Sequence, residues 1–170
     1  AKKLNTKTFE LSIESTTPPH LKKAGQIMKA LNALNDSTLE KIMAAKGKLL
    51  EEVIQMHKHW GKGDSFPAAA LYNGDAYTRL NARSWDIETW EFAQKHLWIL
   101  SGLYGTLSPT NLVHPYRLMV GAAWSPTPAL KNLYDFWKKD VQSDLSKLAP
   151  RAVINCASQE YSAMIDGWKQ

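Results

Sequence analysis

The tightest constraint on the fold lies mid-chain, at Gly102-Leu103-Tyr104-Gly105. Two glycines in so short a bend let the backbone take φ > 0 and let another backbone come close. The segment before it, Asp86 to Leu100, has the spacing of an amphipathic helix, with Ile87, Trp90, Phe92, Ala93, Leu97 and Leu100 on a wide apolar face. Ser84 or Asp86 caps it, and Glu88 and Glu91 suit its N-terminal end. Ser108-Pro109 signals a turn or a new helix start. If a helix follows, the pattern reads as helix, glycine hairpin, helix, a way to grip a nucleic-acid phosphate with backbone N–H groups. A glycine C-cap followed by a corner between two helices accounts for the same residues. Against the usual hydrophobic–Pro–Gly–hydrophobic–Gly hairpin, Ser101 replaces Pro and one extra residue separates the glycines.

Around this centre, Phe9, Leu11 and Ile13 alternate with polar residues, as in a short strand or extended arm. Leu21 to Leu34 reads as a helix with one apolar stripe. Ser37 and Glu40 have capping-box spacing and open a short helix, and a further helix runs through Leu50, Val53, Ile54 and His57. His57 and His59 face different ways at its end, as exposed residues suited to the C-terminal dipole and poor joint metal ligands. Phe66 to Tyr72 reads as a buried strand. Asp75, Tyr77 and Arg79 follow at its end, where ligand groups often gather, although Asp75 capping a turn and Tyr77 packing is an equally ordinary reading. Pro115 to Gly121 looks like a turn into a strand that holds Arg117 between apolar residues, so its guanidinium needs a carboxylate or an anion. Ala129 to Leu148 reads as a long amphipathic helix, Ala152 to Ala157 as a buried strand holding Cys156, and Ser158 as the start of a helix through Met164 and Ile165.

Composition narrows the class. The chain has 170 residues, 44% of them hydrophobic and seven of them Trp, which suits one globular domain over 1–170 with its own core. A net charge of +5 permits a polyanionic partner without demanding one. A single cysteine excludes a disulfide framework or thiolate zinc cluster and fits a reducing compartment. No apolar run approaches the ~20 residues of a membrane span. There is no Walker loop, dinucleotide fingerprint, CxxC pair or nucleophile elbow, and His96 and His114 have no partner carboxylate that spacing can name. No metal or cofactor is expected.

Taken together, the motifs resemble those of the YaaA peroxide-stress resistance family. Leu100-Ser101-Gly102-Leu103-Tyr104-Gly105, then Leu107 and Pro109, then Pro115-Tyr116-Arg117 match its signature. Ala1-Lys2-Lys3-Leu4 is similar to its opening Ser-Pro-Ala-Lys segment, and Gly74-Asp75 with Tyr77 and Leu80 to its Gly-Asp-x-Tyr element. Leu133 to Trp137, and Val153 to Ser158 with Glu160-Tyr161, match two later elements. The resemblance implies a cytoplasmic bacterial protein that limits damage from peroxide and free iron. It also implies DNA binding through a helix-hairpin-helix element and a basic cleft in a mixed α/β fold. Relative to the family's pattern, Ser108 stands where Arg is usual, and Asn111 and Met119 where acids are usual. The family's first strand and C-terminal third are expected to be absent.

The resulting expectation is a single helix-rich mixed α/β domain, monomeric, that binds duplex or distorted DNA by its backbone in the oxidative-stress response. No helix rich in Arg, Asn and Gln is present, so base-specific readout is not expected. The expected contacts are Lys2, Lys3, Arg79, Gly102, Tyr104, Gly105, Tyr116 and Arg117, with Gly74, Asp75 and Tyr77 as further motif positions. Lys2 and Arg117 would meet phosphates, the glycines would offer backbone donors, and Tyr104 and Tyr116 would stack on unpaired bases. The alternative is an enzyme acting on a nucleotide or small anionic substrate in a pocket near Asp75, Tyr77, Tyr116 and Arg117.

Overall fold

The computed structural model describes residues 3–168. After an arm without regular structure come α1 (Leu21–Asn32), α2 (Asp36–Met43) and α3 (Gly47–Lys58). Ala24, Ile27, Met28 and Leu31 make the buried stripe of α1, as their spacing requires. The cap of α2 is Asn35, whose Oδ1 accepts from the Thr38 N–H at 2.9 Å. The Ser37 capping box is therefore not used: Ser37 lies inside the first turn and donates its hydroxyl to Asn35. Both α1 and α2 pack on α3.

Two-residue β1 (Phe66–Pro67) pairs antiparallel with β4 (Leu112–Val113). The rest of the expected Phe66–Tyr72 strand is instead a buried helical turn, α4 (Ala68–Leu71). Alanine and leucine favour helix, and the first free N–H groups, on Ala68 and Ala69, find the Asn111 and Pro109 carbonyls at 2.9 and 3.2 Å. Next come α5 (Asp75–Leu80), a 3-10 turn at 82–84, and α6 (Ile87–His96). Asp86 caps α6, accepting from Thr89 N–H at 2.8 Å.

The central glycine segment is a β-hairpin, not a helix-hairpin-helix. The α6 helix stops at His96 because Leu97 turns extended (φ −103, ψ 130). Then β2 (Ile99–Ser101) pairs with β3 (Gly105–Leu107), in the register Ile99↔Leu107 and Ser101↔Gly105. Ile99, Leu103, Tyr104 and Leu107 are all core residues, so burial on both faces supplied the apolar spacing that reads as helix. Gly105 has φ +73, and a Cβ there would lie 2.8 Å from the Trp137 ring. Ser108-Pro109 opens a turn closed by Asn111, whose Oδ1 accepts from the Ser108 N–H at 2.8 Å.

The long helix α7 (Leu133–Leu148) starts at the Asn132 cap and packs on β3. Asp144 of α7 is buried; its Oδ2 lies 2.6 Å from His20 Nε2 and also accepts from the Thr106 hydroxyl. Lys23 pairs with Asp140, so α1 and α7 are tied by charge, and β3 joins α7 through the Thr106 hydroxyl. A short helix α8 (Gln159–Ser162) and a 3-10 turn at 163–165 complete the order.

Two expected strands do not form. Between Pro115 and Gly121, Tyr116, Leu118 and Val120 point inward in alternation, yet no strand pairs with them. Residues 152–157 are exposed, with Ile154 88% accessible and Cys156 at the surface rather than buried. No ladder partner reaches them among the described residues. Asn155 instead closes a local turn, accepting from Ala157 N–H and donating to Ser162 Oγ.

Candidate nucleic-acid interface

The expected contact residues divide into a buried set and a surface set. Tyr104 and Tyr116 are 0% and 1% exposed. Tyr116 and Ser101 share a 2.7 Å hydroxyl contact, Tyr72 and Tyr116 one of 3.0 Å, and Ser101 Oγ accepts from the Tyr104 N–H at 3.0 Å. Burial pushes the Tyr104 phenol up to about 12 and the Tyr72 and Tyr116 phenols well above their ordinary value. All three stay protonated and present no ring face to a base, which corrects the expected stacking role. Gly102 and Gly105 are likewise enclosed: a Cβ on Gly102 would lie 3.0 Å from the Val120 nitrogen. These glycines serve close packing rather than phosphate contact.

Arg117 engages backbone carbonyls through its guanidinium. Its Nε donates to Met43 O at 3.0 Å and its Nη2 to Ala44 O at 3.4 Å, capping the C-terminal carbonyls of α2. Its own N–H donates to His57 Nε2 at 3.2 Å. His57 is therefore not an exposed helix-end residue. It is 2% exposed, and burial lowers its pKa to about 4. His59, on the other side of the helix end, is exposed.

On the surface, Lys3 Nζ lies 3.8 Å from Asp75 Oδ1, with the two side chains 70% and 97% exposed. Gly74 caps α5. Tyr77 is half-buried against Tyr72, with ring centroids 5.2 Å apart, and burial raises its phenol to about 12. Arg79 is exposed and has no ion pair among the described residues. Lys2 lies outside the described residues. Asp75 points to solvent, Tyr116 into the core and Arg117 to the end of α2, so the pocket proposed for an enzyme is not assembled from these four. No group of three His, Cys, Asp or Glu is placed to hold a metal among the described residues.

A cleft does exist at the end of α3, and sequence reading passed over it. It holds about 300 Å³, is open to solvent, and is lined by Met56, His59, Trp60, Asp64, Phe66 and His114 among others. The buried hairpin sets one wall. Tyr104 Oη accepts from Trp60 Nε1 and from the His114 N–H, each at 3.0 Å. The Trp60 and His114 rings meet edge to face, with centroids 5.8 Å apart. His114 Nδ1 is 3.2 Å from Asp64 O and His59 Nδ1 is 2.8 Å from Gln55 O. A carbonyl only accepts, so both rings carry hydrogen on Nδ1, leaving Nε2 as the acceptor of the neutral ring. Lys58 and Lys62 stand on either side of Trp60, exposed and without ion pairs among the described residues. The run Lys58-His59-Trp60-Gly61-Lys62, an aromatic between cations, was the available signal.

The whole chain, residues 1–170, matches the family described as Peroxide stress protein YaaA. A UPF0246 protein of Legionella pneumophila (strain Paris) is 37% identical over 175 residues, covering 98% of this chain and 68% of its own length. UPF0246 proteins of Dinoroseobacter shibae and Saccharophagus degradans are 36% and 34% identical, over 60% and 66% of their own lengths. The match takes in both the buried hairpin and the tyrosine network behind the cleft, and the chain belongs to the YaaA peroxide stress protein family.

Proposed function

We propose that the protein serves the peroxide-stress response in the cytoplasm by binding duplex or distorted DNA through its phosphates, as a monomer, with Lys58 and Lys62 as the principal contacts. The supporting observation is the pair of exposed cations, without ion pairs among the described residues, two positions before and after the cleft residue Trp60. Lys7 stands between two cleft-lining residues, Thr6 and Thr8, and adds a third exposed cation on the facing arm. Arg79 adds a fourth on α5, whereas the charge of Lys3 is shared with Asp75. Contacts of this kind read phosphate rather than sequence. The buried hairpin acts from behind, by holding the wall that carries Trp60.

Fluorescence anisotropy of labelled duplex DNA against salt tests this reading. Affinity should fall linearly on a log–log plot, and Lys58→Ala and Lys62→Ala should each weaken binding and reduce the slope by about one. No binding at low salt, or slopes that neither variant changes, would contradict it.

A further inference from the structure

We propose that the cleft lined by Trp60 and His114 takes one unpaired nucleobase, and that Tyr104 is a positioning residue for that site. The inference rests on the phosphate-binding reading above and deepens it. Trp60 is half-exposed, and its indole nitrogen is already held by Tyr104 Oη at 3.0 Å, so the ring is anchored from inside while part of it stays open to the cleft. The same phenol oxygen takes the His114 N–H at 3.0 Å, so one buried atom holds both neighbouring lining residues in place. The remaining lining suits a flat heteroaromatic ring: Met56, Phe66 and Pro115 are apolar, while Thr6, His59, Asp64 and His114 can meet ring-edge donors and acceptors. Both histidines have Nδ1 engaged with backbone carbonyls, which leaves Nε2 to the ligand. Lys58 and Lys62 beside Trp60 would carry the flanking phosphates, the usual pairing of a stacking platform with a cationic track. A fully paired duplex keeps its bases stacked inside and cannot fill such a site without extruding one.

The test compares a labelled oligothymidylate with an abasic sugar–phosphate oligomer of the same length, by anisotropy at low salt. The wild-type protein should bind both, the thymidine oligomer on the order of tenfold more tightly. Trp60→Ala should bring the thymidine oligomer down to the abasic level. Tyr104→Phe, which leaves two donors without their acceptor, should shrink the thymidine-to-abasic ratio without changing the salt slope of the abasic oligomer. That ratio is a readout that a loss of stability alone would not move. Equal binding of the two oligomers by the wild-type protein overturns the base site and leaves phosphate binding standing. Binding of neither overturns both.

Discussion

At the scale of the residue, small changes in the buried signature should act on stability first. Gly105 combines a left-handed backbone with a ring 2.8 Å from where a Cβ would be. Gly105→Ala should therefore lower unfolding stability by about 2–4 kcal/mol, read as a shift in denaturation midpoint, from backbone strain and overpacking together. Arg117→Ala should lower it by about 1–3 kcal/mol by freeing the end carbonyls of α2, and Lys at this position should not restore the loss, because an ammonium cannot span Met43 O and Ala44 O as a planar fork does. His57 gives a pH dependence of known sign. Its folded pKa is about 4 against an ordinary 6.5, so the unfolded chain binds a proton that the native protein excludes. Stability is unaffected above the ordinary value and falls as pH drops through that window, by at most about 3 kcal/mol. Urea unfolding at pH 7.5, 6 and 5, pH values set by the ~6.5 starting point of a histidine, should show a shallower loss in His57→Gln than in the wild type.

At the scale of the element, the long helices were legible, whereas the strands and the short helices α4 and α5 were not. The stripes of α1, α3 and α6 and the run of α7 are several turns long, enough for a 3.6-residue period to emerge. By contrast β1 and β4 have two residues and β2 and β3 have three, less than a readable alternation. Their identity depends on partners distant in sequence, such as Phe66 with Val113. The segment at 152–157 shows the converse: β-branched residues without a neighbouring strand remain irregular. Hydrogen exchange should separate these cases. Amides paired in the hairpin, including those of Ile99 and Leu107, should be among the slowest, and those of Val153 and Ile154 among the fastest.

At the scale of the whole molecule, the motif around the glycine hairpin and Tyr116 lies in the core, whereas Asp75 and the 153–158 segment lie at the surface. Tyr72, Ser101 and Tyr116 come from three stretches of chain and close one hydroxyl network; the Tyr104 N–H donates to the Ser101 hydroxyl, and the Tyr104 phenol reaches the cleft wall. The sequence pattern therefore placed Tyr104 and Tyr116 at the surface, where the structure buries them. Burial of a tyrosine is decided by what packs over it, here partly Trp60 at a distance of 44 positions, and no local pattern carries that information. The half-exposed Trp60 of the cleft and the exposed Lys58 and Lys62 beside it in sequence occupy a helix end and loop that composition alone renders ordinary. Among the described residues no helix is long and apolar enough to cross a membrane, so the apolar surface that α1, α6 and α7 bury belongs to this core.

The central claim is that nucleic acid meets the protein at the cleft around Trp60 and not at the glycine hairpin. The most direct measurement is the two-dimensional NMR spectrum of the seven tryptophan indole N–H groups, with Trp60 assigned from Trp60→Phe, recorded while DNA is added at low salt. The Trp60 indole should move first and furthest, while the Trp137 indole, buried against Gly102 O at 2.9 Å, should hold its position. A stationary Trp60 resonance, or a Trp137 resonance that moves in its place, would contradict the account.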